Sequence, residues 1–222
     1  MPIAPTGCAR GLLQMDSKPN RKFAQCASTR PCGASPDNRA MNWNPTLAIP
    51  LFLLCLAGCS PALNWRSMPL PNAGITITLP CKPDQATRSV ELAGAVTELS
   101  MVGCDADGAT FAVSHAALGD PAQVGVALTH WRAAVLANLG TAAAASAVDV
   151  PYTPKGALPL RESVRTAVLG ERPDGGGSVF AQGVWFARAL GPQIRLYHAV
   201  VYTRKPRPEV ADQFFAALEF QP

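Results

Sequence analysis

Two stretches decide the fold of this 222-residue chain: SVFAQGVWFARAL at Ser178–Leu190 and QIRLYHAVVYT at Gln193–Thr203. Both carry apolar residues on each face, as is typical of central strands that are covered on both sides. Gly191 and Pro192 separate them and predict a turn. The two stretches are therefore predicted to be neighbouring strands at the centre of a sheet.

Further strands are predicted before this pair. Residues 74–80, GITITLP, alternate strictly, so that Ile75, Ile77 and Leu79 share one face and Pro80 ends the strand. The other predicted strands are residues 88–92, 96–104, 109–116 and 161–169, with a further possible strand near 148–152. Residues 105–108, DADG, predict a turn, because this segment is too short and too isolated for a calcium loop. Residues 172–177 predict a hairpin loop.

Two helices are predicted. The first opens at Asp120, as the cap, with Pro121 in its first turn, and ends at Gly140. Its apolar residues recur at helical spacing: Val124, Leu128, Trp131, Val135 and Leu139. The second covers residues 208–217, with Val210, Phe214 and Leu218 on its buried stripe. Residues 141–160 are predicted to be a loop around the possible strand, and the whole pattern predicts an α+β fold.

An apolar run near the N-terminus predicts export. Residues 46–59 read TLAIPLFLLCLAGC, which is as long as a signal-peptide core and well short of the roughly 20 residues that span a bilayer. The run ends in LAGC, which resembles the lipobox of bacterial lipoproteins. That resemblance implies that a lipid is attached to the thiol of Cys59 and that the signal is cut just before it. It also implies a lipid-anchored envelope protein, delivered to the outer membrane and facing the periplasm because Ser60 follows. The alternative is a chance cysteine at the end of an ordinary signal peptide or a buried helix.

The lipobox sets the predicted domain limits. Residues 1–40 lack apolar periodicity and are either a disordered extension or a mis-annotated start, with translation beginning at Met41. Residues 41–58 are then the signal peptide, residues 59–73 a tether, and residues 74–222 a single α+β domain. Trp65, within the tether, is predicted to dock onto that domain.

Charge and cysteine content follow this division. The chain has 19 basic and 15 acidic residues, of which six and two lie in residues 1–58, so residues 59–222 carry 13 of each. A neutral mature part gives no indication of a nucleic-acid partner. Of the seven cysteines, Cys81 and Cys104 remain as a pair after the lipidated one. In an oxidising compartment such a pair predicts a disulfide.

The order of predicted elements resembles the PsbP-like fold. The resemblance rests on GITITLP, on the long helix after Asp120-Pro121, and on the ending VADQFFAALEF. The family, which includes an extrinsic photosystem subunit and small bacterial lipoproteins, implies an antiparallel sheet between helices, an αβα sandwich. It also implies non-enzymatic binding or assembly roles, with no catalytic residues and no cofactor.

Three functions compete: a lipid-anchored binding or assembly module with an envelope protein partner, an envelope hydrolase, and a metal- or redox-handling lipoprotein. GxSxG, HExxH and SxxK motifs are all absent from the sequence. His115 and His198 continue apolar strand faces and are predicted to be structural, while His130 is predicted to face solvent. Convergence of Met101, Cys104 and His115 would favour a metal site. A cleft lined by a histidine and a carboxylate would favour the enzyme, and a flat apolar patch the binding module.

Overall fold

The computed structural model describes residues 62–172 and 175–221. The predicted extension, signal peptide and lipidation site therefore lie outside the described residues, as do two residues of the 172–177 loop. The described strands are β1 Arg66–Leu70, β2 Ile75–Leu79, β3 Asp84–Leu92, β4 Ala95–Ala106, β5 Ala109–Leu118, β6 Val148–Pro151, β7 Val164–Glu171, β8 Ser178–Leu190, β9 Gln193–Thr203 and β10 Glu219–Phe220. The described helices are α1 Val124–Asn138, α2 Thr141–Ser146 and α3 Pro208–Ala216.

Seven strands form one antiparallel sheet in the order β3-β4-β5-β9-β8-β7-β6. β8 and β9 have the predicted limits and lie inside the sheet, with neighbours on both sides. Phe186 and Tyr197, register partners on these strands, stack with ring centroids 5.0 Å apart. The prediction that these two stretches build the centre of the sheet is confirmed.

The remaining three strands form a small sheet, β1-β2-β10, in which β2 has the predicted alternation of buried residues. β1 lies inside residues 59–73, so the prediction that this whole segment is a tether is wrong. RSMPL carries a proline and no clear alternation, and it becomes a strand through pairing with β2, from Arg66 with Leu79 to Leu70 with Ile75. Trp65 docks as predicted, edge-on to Phe111 at 5.7 Å.

The first predicted helix is present. The Asp120 carboxylate accepts a hydrogen bond from the Ala122 amide at 2.9 Å and caps a short 3₁₀ turn, Pro121–Gln123, that leads into α1. Leu128, Trp131 and Val135 of α1 pack in a buried cluster with strand residues that include Trp185 and Leu196. Gly140 follows with φ +99°, a conformation that glycine adopts without strain.

Two expectations for the following segment need correction. Residues 141–146 were predicted to lie in a loop, but they form α2, and Ala143 packs against Val168 and Val179 of the large sheet. A six-residue helix has little stability alone, so this packing, rather than propensity, explains it. The strand predicted at 161–169 runs instead from Val164 to Glu171. The possible strand near 148–152 is confirmed as β6.

The last helix, α3, buries Val210, Phe214 and Phe215. Phe214 lies edge-on to Phe111 at 5.5 Å, in the cluster that also contains β2. Across the described residues, the predicted α+β class with mostly antiparallel strands is confirmed. None of the described helices combines the length and apolar character that a membrane crossing requires.

Candidate functional site

The predicted lipidation of Cys59 stays a prediction, because that residue lies outside the described part of the chain. The predicted disulfide partners do come together: Cys81 and Cys104 lie at disulfide distance, with their Cα atoms 5.9 Å apart. Cys81 follows β2 and Cys104 lies in β4. A bond between them therefore ties the small sheet to the large one.

Register does not bring the three candidate metal residues together. Cys104 pairs with Phe111, whereas His115 pairs with Ser100, so the two lie about 13 Å apart along the hairpin. Met101 pairs with Ser114 and points to the opposite face, because side chains alternate along a strand. The three residues do not converge. Over residues 62–172 and 175–221, no group of three or more His, Cys, Asp or Glu side chains could hold a metal ion.

His198 is a core residue, as predicted. Its ring stacks on the indole of Trp185 at 4.4 Å and meets Trp131 of α1 edge-on at 5.7 Å. Burial lowers the pKa of His198 to about 3, so the ring is neutral at pH 7. Its Nε2 atom is buried and has no hydrogen-bond partner in the described structure. The His198 side chain therefore contributes to core packing and is not accessible to a substrate.

His115 is also buried, and its neighbour is a cation. Its Nδ1 atom lies 3.5 Å from Nη1 of Arg195 on β9. Burial, followed by the nearby Arg195 charge, lowers the pKa of His115 to about 4. This imidazole is therefore neutral at pH 7, and it lies beside a guanidinium instead of beside a nucleophile.

The third histidine lines a shallow depression of about 340 Å³ at the start of α1. Its polar lining includes Thr129, His130, Arg161 and Glu162. The Glu162 carboxylate accepts a hydrogen bond from Arg161 at 2.6 Å, and this bond lowers the pKa of the carboxyl group. Thr129 donates its hydroxyl proton to the backbone carbonyl of Gly125 at 2.8 Å. Histidine and carboxylate thus share one depression, but the hydroxyl and the carboxylate both already have partners.

An exposed apolar surface lies at the β6 edge of the large sheet. Val148 is 64 % exposed, Val150 49 % and Leu169 60 %. Register pairs Val148 with Ala167 and Leu169 with Phe180, so these side chains share one face. Ala167 and Phe180 are half-buried. We call these five residues the open sheet face: Val148, Val150, Ala167, Leu169 and Phe180.

Three charged residues of β6 and β7 adjoin the open sheet face. Arg165, the register partner of Val150, shares this face, Glu171 is exposed two residues beyond Leu169, and Asp149 points to the opposite face. Asp149 forms an ion pair with Arg132 at 2.5 Å, and its other oxygen accepts a hydrogen bond from Thr166. Arg165 forms an ion pair with Asp212 of α3, also at 2.5 Å, and lies over the Phe215 ring. Asp149 and Arg165 are thus paired within the protein, and the exposed acid Glu171 lies at the edge of an otherwise aliphatic and aromatic surface.

The sequence alone did not reveal the open sheet face. Its members come from three strands, and the alternation of Val148 and Val150 in VDVP was the one available signal. That signal predicts a strand but not which residues lie beside it. The register of β6, β7 and β8 brings the five residues together.

Comparison with known proteins gives no relative: no family model, curated protein or solved structure matches the chain.

Proposed function

We propose that this chain is a lipid-anchored protein of the bacterial envelope whose folded domain is a non-enzymatic binding or assembly module. The LAGC sequence at residues 56–59 supports the anchor, and Ser60 supports outer-membrane delivery with the domain facing the periplasm. The partner is an envelope protein that presents an apolar surface.

The observation that carries the proposal is the open sheet face. Contiguous exposed apolar patches are limited in size on monomeric soluble proteins, and large ones commonly mark interaction sites. Leu169 and Val148 are each more than half exposed, although they flank a well-packed sheet. Because Arg165 is paired within the protein and the exposed Glu171 is acidic, the surface favours an apolar protein partner over an anionic lipid surface.

We also propose that the fold has a PsbP-like αβα arrangement. Its support is the packing of α1 with Trp185 and Leu196 and that of α3 with Phe111 and Val113. Side chains alternate between the faces of a strand, and Phe111 and Val113 lie on the opposite face of β5 from Ala116, which packs with α1.

Site-specific photocrosslinking in intact cells tests the docking surface. A photoreactive benzoyl-phenylalanine replaces Leu169 in the full chain. The matched control carries the same group at Val96, which is 78 % exposed in the β3–β4 hairpin and outside the open sheet face. We expect a discrete product from position 169, identified by mass spectrometry, and none from position 96.

A second substitution makes the crosslinking specific. Adding Val148→Glu should abolish the product from position 169, because a carboxylate would have to be buried in the interface. The same product from both positions, or an unchanged yield with Val148→Glu, would contradict the proposal. A product containing two copies of this chain would replace the envelope partner with a homodimer.

The depression at the start of α1 favours hydrolysis as a second candidate function, because His130 and Glu162 both line it. The candidate base is His130, and the candidate nucleophile is a water or Thr129. Hydrolysis of a panel of ester and amide substrates by the full chain, compared with His130→Gln, tests it. Activity that persists unchanged in His130→Gln would remove this site from consideration.

A further inference from the structure

Two arginines and a histidine share one face of the large sheet, at the end of β8 that lies away from Phe180 of the open sheet face. Arg188 on β8 and Arg195 on β9 are register partners, and His115 on β5 is the partner of Tyr197, two residues further along β9. We call Arg188 and Arg195 the arginine pair. Nη1 of Arg195 lies 3.5 Å from Nδ1 of His115. A guanidinium only donates hydrogen bonds, so Nδ1 accepts and the His115 proton is on Nε2.

The positive charge of the arginine pair is not neutralised by the described residues. Arg188 donates to the carbonyl oxygens of Gly74 at 3.2 Å and Gln221 at 2.8 Å and lies over the Phe220 ring at 4.7 Å. None of these groups carries a negative charge. Arg195 contacts the neutral His115, and its Nε atom is buried without a hydrogen-bond partner.

Other arginines of the described structure show the contrast. Arg132, Arg165 and Arg207 each form an ion pair with an aspartate. The arginine pair has no such partner in the described part of the chain, and the exposed Glu98 lies on β4, two strands from Arg195, without an ion pair to either guanidinium. The described structure thus pairs three partly buried arginines with aspartates but gives Arg188 and Arg195 no acidic partner.

Tyr197 is buried and lies on the same face of β9 as Arg195. The Tyr197 hydroxyl donates to the Ala73 carbonyl oxygen at 2.5 Å. Burial raises the pKa of Tyr197 to about 12, against the opposing effect of Arg195 and Arg188. The 3₁₀ turn Pro71–Ala73, which covers this end of the sheet, contributes no charged side chain. Both arginines are partly exposed, so a small solute can contact them.

We propose that the arginine pair, with His115 beside it, binds a phosphate group. Phosphate carries close to two negative charges at neutral pH when it is a monoester or inorganic, which matches the two guanidinium charges. The planar fork of each guanidinium suits the oxygens of such a group. The site lies near Leu190 at one end of β8, whereas Phe180 of the open sheet face lies at the other end. Phosphate binding at the arginine pair and partner docking at the open sheet face can therefore be tested separately.

Calorimetric titration of the full chain, in non-ionic detergent and a phosphate-free buffer, with inorganic phosphate tests the site. We expect saturable binding that is weakened about tenfold or more in Arg195→Gln, the loss of one charged hydrogen-bond donor group. Arg195→Lys should recover part of the affinity, because it restores the charge but not the fork. Arg204→Gln, which removes an exposed arginine elsewhere, is the matched control and should bind like the wild type. Absence of saturable binding, or equal binding by Arg195→Gln and wild type, overturns the proposal.

A second measurement needs no substitution at the site. The chain has three histidines, so their ring proton resonances can be assigned and titrated by NMR. A bound anion stabilises the charged imidazole of a neighbouring histidine, so phosphate should raise the pKa of His115. A phosphate-dependent rise confined to His130 or His198 would locate the ion elsewhere and overturn the assignment.

Vesicle flotation then identifies the source of the phosphate group. The Cys59→Ala chain, which lacks the predicted anchor, is mixed with vesicles of phosphatidylcholine alone or with added phosphatidic acid. Retention on phosphatidic acid that inorganic phosphate displaces supports a lipid headgroup as the ligand. Saturable phosphate binding without retention supports a soluble phosphate compound.

Discussion

The imidazole of His198 stacks on the indole of Trp185 with ring centroids 4.4 Å apart and planes 17° apart, while Trp131 of α1 closes the cluster edge-on. Protonating this imidazole would place a charge between two indoles, in a site where Nε2 has no hydrogen-bond partner. The cluster therefore links helix docking to the protonation state of one residue.

This linkage predicts acid sensitivity. Burial lowers the pKa of His198 from 6.5 to about 3 in the folded state, so between these values the unfolded chain binds the extra proton. The free energy of unfolding must then rise with pH in that range. From His198 alone we expect a loss of about 2 kcal/mol between pH 8 and pH 5. Urea unfolding at the two pH values measures it.

Two variants isolate the His198 contribution from that of His115, whose pKa is also lowered, to about 4. His198→Phe keeps an aromatic ring but cannot be protonated, so its loss of stability between pH 8 and pH 5 should be smaller than that of the wild type by about 2 kcal/mol. His130→Gln removes an exposed histidine and should behave like the wild type. An equal loss in His198→Phe and wild type would refute the assignment.

Oxidation of Cys81 and Cys104 is the second prediction. The pair closes a segment with a sequence separation of 23 residues, for which the chain-entropy model gives roughly 3 kcal/mol of stabilisation, often less in practice. Thiol counting on the denatured, unreduced chain should find neither cysteine free. The Cys81→Ser/Cys104→Ser double variant should unfold at lower urea concentration. Two reactive thiols assigned to these positions by mass spectrometry would exclude the bond.

Lipidation of Cys59 is the third prediction. Metabolic labelling with a fatty-acid probe should mark the wild type, and Cys59→Ala should abolish the label, because the thiol is the attachment point in the lipobox. Cys55→Ala, which changes a cysteine inside the apolar run, is the matched control and should remain labelled. An unlabelled wild type would remove the anchor from the proposed function, and recovery only in the inner-membrane fraction would contradict outer-membrane delivery.

The fourth prediction concerns the close approach of β7 to the end of α1. A Cβ atom added at Gly170 would lie 2.6 Å from the Leu139 carbonyl oxygen and 2.7 Å from the Leu139 Cβ atom. The adjacent Glu171 amide donates to that same carbonyl at 2.8 Å, so the backbone cannot move away without losing this bond. Gly170→Ala should therefore reduce the free energy of unfolding by about 1–3 kcal/mol.

Gly119→Ala provides the control for that substitution. An added Cβ atom at Gly119 would meet nothing within 4 Å, and its φ does not require glycine. Thermal or urea unfolding of both variants decides the matter. Equal stability of Gly170→Ala and Gly119→Ala would show that the α1–β7 contact can relax.

The sequence by itself determined the elements whose patterns are strong and local. Ser178–Leu190 and Gln193–Thr203 carry continuous apolar runs, residues 75–79 alternate strictly, and Asp120-Pro121 begins a capped turn that leads into a helix with an apolar stripe. In each case the signal lies within one continuous segment of the chain, so hydrophobic periodicity and capping chemistry suffice. The proximity of Cys81 and Cys104 was also predicted, because these are the two cysteines that follow the predicted lipidation site at Cys59.

Tertiary structure decided what depends on pairing between distant segments. β1 has no clear pattern in RSMPL and exists through its register with β2, and α2 is stabilised by the contact of Ala143 with Val168 and Val179. The open sheet face and the arginine pair arise in the same way, from residues on neighbouring strands that the register brings side by side. The alternation of one strand states which residues share its own face. It contains no information on which residues of another strand lie beside them, because register is fixed by the free energy of the whole packed sheet.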